Sequence, residues 1–177
     1  SSQMDSFRSD VRRLVDHLFR VEPFASRKRD FNVRAIDTPA DLEGISRPRA
    51  GVFRKTPLGT RYNSFDSERY VLTLDDRAWR DAAAVVPYDF VLILVNERKY
   101  GGGGIFNLYS TAAAGSVFAP YLYVHEVGHH FADLGDEYFT SPVSYEPEPV
   151  ITVEPWEPNL TALLDGTELK WGDLADD

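Results

Sequence analysis

The sequence predicts an α/β fold in which strands and helices share one domain. Residues 5–20 repeat apolar side chains at three- and four-residue spacing, which is typical of an amphipathic helix. Residues 70–95 hold two apolar runs on either side of an alanine-rich stretch, which is the pattern of a β-α-β unit. Pro120 suits the first turn of a further helix and Gly135 suits its end, which predicts a helix over 120–134.

Shorter patterns predict the remaining elements. Strands are expected where apolar residues alternate with polar ones or run continuously, and these segments are 31–36, 70–74, 90–95 and 105–109. Another helix is predicted over 77–86, which is alanine-rich and is followed by Pro87. Four glycines at 101–104 indicate a flexible turn, or a bare backbone that an extended peptide can approach as an added strand. Residues 141–158 are rich in proline, so no regular structure is expected there.

The composition excludes several kinds of site and partner. Cysteine is absent, so disulfides, thiolate catalysis and Cys-ligated metal centres are excluded, and any metal must bind to His and carboxylate side chains. The longest apolar runs are far shorter than the roughly 20 residues of a membrane-spanning helix, so no transmembrane segment is expected. The net charge of -9 argues against nucleic acid as a partner, because binding to phosphates requires a basic surface.

The acidic residues are concentrated in one half of the chain. Residues 1–99 contain 18 Lys and Arg and 15 Asp and Glu, whereas residues 100–177 contain one basic residue, Lys170, and 13 acidic ones. A solvated acidic surface that keeps the protein soluble is one interpretation. The other is a half of the chain that binds or supports a metal ion.

His125, Glu126 and His129 form a His-Glu-x-x-His motif within the helix predicted over 120–134. Four residues of α-helix turn through about 400° and rise about 6 Å, so both imidazoles project from one face and can share a tetrahedral ion. Glu126 points about 100° away from His125, where it can reach the reacting water without being a ligand. We therefore predict one catalytic zinc ion on the two histidines, with Glu126 as the general base. The alternative is a pair of helix histidines beside a surface Glu, without metal.

The third ligand is expected to be a carboxylate, because cysteine is absent and the motif has no third His within reach. Asp133 is in register with the two histidines, but a straight helix would put it about 12 Å from His125, so a supporting or solvent-exposed position is expected. If the chain leaves the helix in a left-handed conformation at Gly135, it doubles back towards the metal. Asp136 is then the favoured third ligand, and Glu137 is the alternative.

Other residues near the motif have weaker functional interpretations. His130 is rotated off the metal face and is expected to pack or to lie on the helix surface. Tyr138 can donate a hydrogen bond to a developing oxyanion, although packing is the simpler expectation. Phe106 and Tyr109 are expected to lie along an extended substrate. Asn159 begins a formal Asn-x-Thr glycosylation pattern.

Residues 125–138 read His-Glu-Val-Gly-His-His-Phe-Ala-Asp-Leu-Gly-Asp-Glu-Tyr. This stretch resembles the active site of the bacterial metalloendopeptidases typified by the immunoglobulin A-specific IgA peptidase. Flanking stretches are similar too, at 30–34, 63–70, 95–104 and 157–159. The likeness covers most of the chain.

This resemblance implies a zincin-like α/β catalytic domain, with a mixed sheet and an active-site helix that carries the motif. It implies a zinc ion held through His125 and His129, with Glu126 as the catalytic base. It further implies a secreted, cell-surface or periplasmic bacterial protein. Residues 1–177 are expected to form a single metallopeptidase domain that is part of a larger catalytic region.

The leading hypothesis is therefore zinc-dependent hydrolysis of peptide bonds in a protein or peptide substrate. The alternative is a binding or adhesion module without catalytic activity, whose zinc site is structural or vestigial. A structural zinc site would be closed by four protein ligands, whereas a catalytic site keeps one position open.

Overall fold

The structure, a computed structural model, describes residues 2–137, 152–163 and 169–174. Within these residues the chain forms three helices and three strands, which are α1 (Ser2–Leu18), α2 (Asp76–Ala83), β1 (Leu92–Val95), β2 (Gly102–Ile105), β3 (Tyr109–Ala113) and α3 (Ala119–Ala132). Three short 3-10 helices lie between α1 and α2, at Lys28–Asp30, Pro48–Ala50 and Ser64–Asp66. The predicted α/β fold is confirmed. None of the described helices is both long and apolar enough to cross a membrane.

The strands form a mixed sheet in the order β1-β3-β2. The central strand β3 pairs in parallel with β1, with Leu92 opposite Ser110, and antiparallel with β2, with Gly102 opposite Ala112. All five residues of β3 are buried. A strand with neighbours on both edges and elements packed on both faces cannot present a polar face to water, which explains its run of small and apolar residues.

The expected β-α-β unit over 70–95 is wrong in its strand pairing. Tyr70 forms only an isolated parallel bridge with Gly102, and Leu72 forms an isolated bridge with Arg61. The segment around Tyr70 therefore lies beside β2, at the opposite end of the sheet from β1. The helix between the two apolar runs was correctly expected, and α2 begins where the Asp75 side chain accepts a hydrogen bond from the Ala78 N–H at 3.0 Å.

Besides 70–74, which forms only isolated bridges, two further predicted strands are absent from the described residues. Residues 31–36 have no regular backbone pairing, because alternation in a sequence forms a strand only where the backbone finds a partner. Residues 105–109 are not one strand, since Ile105 ends β2 and Tyr109 begins β3. The turn between them has Asn107 at φ 55° and a hydrogen bond from the Leu108 N–H to the Ile105 carbonyl at 3.0 Å. Asn tolerates this left-handed conformation better than most residues, which makes it a turn signal.

The sheet separates two apolar cores. One core joins α1 and α3 to one face of β3, and its buried members include Leu14, Leu18, Leu122 and Val127. The other lies on the opposite face, where Trp79 of α2 packs edge-on against Tyr109 with ring centroids 5.6 Å apart. Helix α3 contacts β2, β3 and α1. The helix that carries the His-Glu-x-x-His motif is therefore held from two sides.

Glycines in β2 allow α3 to lie directly on the strand backbone. A Cβ atom at Gly104 would overlap the carbonyl oxygen of Glu126 and lie 2.8 Å from the Cβ of His129. A Cβ at Gly102 would lie 3.0 Å from Oε1 of Glu126. Any larger residue at either position would push the helix away. The expectation of a flexible turn at 101–104 is therefore wrong, because Gly102–Ile105 is a strand whose bare backbone is needed for close packing.

Candidate metal centre

Helix α3 brings two imidazoles together on its surface. His125 and His129 are one turn apart, are half-buried, and have their Nε2 atoms 3.1 Å from each other. Their rings are nearly perpendicular, with an interplanar angle of 87° and centroids 4.6 Å apart. Both Nε2 lone pairs are thus available to a single ion on that side of the helix, as the i, i+4 spacing predicts.

The chain reverses direction immediately after α3. Asp133, and not Gly135, adopts the left-handed conformation, with φ 54°. The Asp133 N–H donates to the His129 carbonyl at 3.1 Å, and the Leu134 N–H donates to the Gly128 carbonyl at 3.3 Å, so the last turn of the helix is closed by its own backbone. Asp is among the few residues other than Gly that visit this region routinely.

This reversal carries Asp136 back to the two histidines. Its Oδ1 lies 3.2 Å from Nε2 of His125 and 3.3 Å from Nε2 of His129. The three atoms therefore form a nearly equilateral triangle. Ligands about 2.0–2.1 Å from a tetrahedral zinc ion are separated by roughly 3.3 Å, so the triangle has the size of one face of such a tetrahedron. The donor set of two imidazoles and one carboxylate fits a divalent metal of the zinc type.

Glu126 lies beside this triangle and is turned towards β2. Its side-chain oxygen belongs to the same group of potential ligand atoms as the two histidines, all within 4.8 Å of one another. Only 8% of the residue is exposed, and burial raises its pKa to about 7, although the two imidazoles oppose this rise. Oδ1 of Asp136 lies closer to both Nε2 atoms than the 4.8 Å limit that includes Glu126, so Asp136 and Glu126 occupy different positions relative to the two imidazoles.

The two histidines are oriented by different neighbours. Nδ1 of His129 is hydrogen-bonded to the carbonyl oxygen of Leu134, which requires a proton on Nδ1 and leaves the Nε2 lone pair for a metal. The hydrogen bond with Asp136 raises the pKa of His129. The ring of His125 is stacked on that of Tyr121, with centroids 5.7 Å apart and an interplanar angle of 21°.

Asn159 secures the loop that carries Asp136. Its Oδ1 accepts a hydrogen bond from the Gly135 N–H at 2.8 Å, and its Nδ2 donates to the Gly135 carbonyl at 2.9 Å and to Oε1 of Glu137 at 3.0 Å. Gly135 is needed there because a Cβ would lie 2.5 Å from a methyl group of Leu160. No sequence pattern predicted this role for Asn159. Nothing in the spacing of a residue 23 positions beyond Asp136 indicates such a contact, and the formal glycosylation pattern pointed elsewhere.

The remaining acidic and basic candidates lie away from the triangle. Asp133 forms the end of α3, and its side chain has no ion pair with any other described residue. Glu137, the alternative third ligand, is exposed and is bonded to Asn159. His130 is buried on another face of α3, where its ring meets Phe90 edge-on at 6.0 Å. Burial lowers the pKa of His130 to about 4, so it packs as a neutral side chain.

The three aromatic candidates for substrate contact have different outcomes. Phe106 is exposed in the turn between β2 and β3. Tyr109 is 1% exposed, and its hydroxyl donates to the Thr73 carbonyl at 2.6 Å and accepts from the Thr73 N–H at 3.1 Å. The expectation that Tyr109 contacts a substrate is therefore wrong, because its ring belongs to the core. Tyr138 lies outside the described residues.

The family model described as IgA Peptidase M64 matches residues 1–177, which is the whole chain. The chain belongs to the IgA Peptidase M64 family. No curated protein matches it. Membership in the IgA Peptidase M64 family confirms the resemblance carried by residues 125–138 and indicates a metallopeptidase that acts on protein substrates. The group formed by His125, Glu126 and His129 is suited to the metal that such a peptidase requires.

Proposed function

We propose that the chain is a zinc-dependent endopeptidase that hydrolyses peptide bonds within protein substrates. The observation that carries this proposal is the triangle formed by Nε2 of His125, Nε2 of His129 and Oδ1 of Asp136, with the buried carboxyl group of Glu126 beside it. Three ligand atoms on one side of an ion leave a fourth tetrahedral position for water, which is the arrangement of catalytic rather than structural zinc.

Each residue of the site has a separate task in this proposal. His125, His129 and Asp136 hold the ion, which when bound polarises a carbonyl group and lowers the pKa of a water molecule. Glu126 accepts the proton of the attacking water and then delivers it to the nitrogen of the leaving amine. Burial beside the site favours the protonated form of this carboxyl group, which suits a group that must hold a proton between the two steps.

The outer edge of β2 supports an extended substrate. At Gly102 this edge is already paired with another segment of the chain. The Gly102 N–H donates to the Arg69 carbonyl, and the Gly102 carbonyl accepts from the Val71 N–H, both at 3.0 Å. Outward-facing residues alternate along an antiparallel strand, so Gly104 presents its N–H and carbonyl at the same edge, where they have no hydrogen-bond partner among the described residues. A peptide that pairs with Gly104 would pass beside His129 and Glu126.

The test combines metal analysis with cleavage of an internally quenched peptide. The purified chain should contain one zinc ion and lose activity with a chelator. Glu126→Gln should retain the zinc and lose nearly all turnover, because the amide cannot accept the proton. Glu97→Gln is the matched control, since Glu97 is a half-buried acid that accepts a hydrogen bond from the Ile45 N–H and, among the described residues, makes no contact with the two imidazoles.

Two results would contradict the proposal. Turnover by zinc-loaded Glu126→Gln at the wild-type rate would exclude Glu126 as the base. Stoichiometric zinc without chelator-sensitive cleavage of any peptide would favour the alternative of a binding module with a structural metal.

A further inference from the structure

Three aromatic side chains lie at the N-terminal end of α3 and in the segment before β2, on the approach to His125, and we call Tyr100, Phe118 and Tyr121 the aromatic shelf. Tyr121 stacks on the imidazole of His125 with centroids 5.7 Å apart, yet it is 62% exposed. Phe118 precedes Tyr121 by three residues, so it lies on the same side of α3, and it is 58% exposed. The ring of Tyr100 meets Phe118 edge-on at 6.0 Å.

The backbone beneath the aromatic shelf is fixed. The Phe118 N–H donates to Oγ of Ser116 at 3.3 Å, and the Phe118 carbonyl accepts the first α-helical hydrogen bond of α3 from the Leu122 N–H at 2.9 Å. Tyr100 comes from the segment before β2 and packs, half-buried, against the core between α1 and α3. A surface built on these elements needs little ordering when a ligand binds, which favours affinity.

The aromatic shelf borders the same space as the metal centre. Tyr121 contacts His125 directly through the stacked rings, and burial together with the negative charges of Glu126 and Asp136 raises the pKa of Tyr100. The hydroxyl of Tyr100 makes no hydrogen bond with any other described residue. A substrate held at Glu126 therefore has the aromatic shelf within reach of a neighbouring side chain.

Packing within the chain does not account for this exposure. Core aromatic residues of this protein, such as Trp79 and Tyr109, are almost fully buried. Phe53 is also exposed, at 72%, but it has no ring contact with another described aromatic residue. Phe118 and Tyr121 are instead exposed side by side and adjoin a potential metal ligand. Exposed apolar surface of this kind beside a reactive centre is typical of a binding site.

We infer that the aromatic shelf is a substrate subsite that binds a large apolar side chain, preferably aromatic, next to the scissile peptide bond. This inference rests on the proposed endopeptidase function and specifies its substrate class. The Tyr121 ring presents a flat face to such a side chain and can stack or pack edge-on with it. A small or charged substrate side chain would gain no binding energy from the aromatic shelf. The residue next to the scissile bond should therefore decide which peptides bind.

The test measures binding separately from turnover. Two peptide pairs carry either Phe or Ala at one position flanking the cleaved bond, before it in one pair and after it in the other. Their dissociation constants are measured by isothermal titration calorimetry with the zinc-loaded Glu126→Gln variant, which does not consume them. In one of the pairs, Tyr121→Ala should weaken binding of the Phe peptide about tenfold and leave the Ala peptide unchanged.

Control variants separate stacking from other effects. Tyr121→Phe should retain affinity, because the ring and not the hydroxyl makes the contact, and Phe53→Ala should have no effect. Zinc content is measured in every variant, so that a loss of metal is not mistaken for a loss of the subsite. Equal weakening of the Phe and Ala peptides, or no weakening of either, would overturn the inference. Selective binding without any turnover by the wild-type chain would refute the endopeptidase and leave the apolar site standing.

Discussion

Removal of the Asn159 side chain should weaken the metal centre without altering any ligand. In Asn159→Ala, the N–H and the carbonyl of Gly135 lose their side-chain partner, and so does Glu137. Asp136 lies between these two residues, so the loop segment that carries it loses its hydrogen bonds to Asn159. The helical ligands His125 and His129 are unaffected, because they belong to α3.

The expected magnitude follows from the two bonds to Gly135. Each contributes about 1 kcal/mol net, whereas the bond to the exposed Glu137 contributes little. If the loop loses about 2 kcal/mol of the free energy that holds it in its metal-binding conformation, the zinc dissociation constant should rise by a factor of roughly 30. This value lies within the 10- to 100-fold loss of metal affinity that is typical when a supporting partner of a ligand is removed.

Zinc affinity is measured by competition with a chromophoric chelator, and thermal unfolding is followed on the same samples. Thr161→Val is the control, because it leaves Asn159 in place and removes a hydroxyl group whose one described hydrogen bond, from the Leu163 N–H at 3.1 Å, does not involve the loop at Gly135. Asn159→Asp should be at least as damaging as Asn159→Ala, since its carboxylate would face the Gly135 carbonyl and Glu137. A zinc dissociation constant within twofold of wild type for Asn159→Ala would refute the clamping role.

Two further predictions concern the packing around the site. Gly104→Ala should destabilise the protein by about 1–3 kcal/mol or more and reduce zinc affinity, because the added methyl group meets the backbone of α3 at Glu126. Gly103→Ala is the control in chemical denaturation, since its methyl would meet the end of the Leu72 side chain at 2.7 Å and would lie in ordinary contact with the Val71 carbonyl at 3.4 Å, and equal losses for both would contradict the role of Gly104 against α3. Burial raises the pKa of Tyr123 to about 12, above the value of about 10 in an unfolded chain. Ionisation then favours unfolding, so the contribution of Tyr123 should be intact below pH 10 and be lost, up to about 3 kcal/mol, as the pH rises through 12. Other buried tyrosines with raised pKa values add to the fall, which should be shallower in Tyr123→Phe.

Local patterns in the sequence were sufficient for the helices and for the motif. The apolar spacing of residues 5–20 corresponds to α1, and Pro120 lies in the first turn of α3 as expected. These features depend on contacts within a few residues, which sequence reasoning handles well. The same holds for the spacing that puts His125 and His129 on one face of a helix.

Long-range contacts account for what the sequence did not reveal. Residues 31–36 alternate like a strand but lack a partner, whereas the glycine-rich Gly102–Ile105 forms a strand because its partner and the overlying helix select for bare backbone. Asn159 acts on Gly135 across a separation of 24 residues. The helix that covers Gly102 and Gly104 and the residue that clamps Gly135 are both more than 20 positions away in the sequence, so propensity and periodicity contain no trace of them.

The direct seating of α3 on β2 divides the metal centre into a rigid part and an adjustable part. The bare backbone of β2 at Gly102 and Gly104 lies directly against α3 at Glu126 and His129. No layer of side chains that could repack separates the motif from the sheet at these positions. The loop from Asp133 to Glu137 is held instead by hydrogen bonds to the end of α3 and to Asn159. We therefore expect substitutions that change the metal preference, in evolution or in the laboratory, to be tolerated in this loop. Substitutions in α3 or β2 would disturb the contact between them.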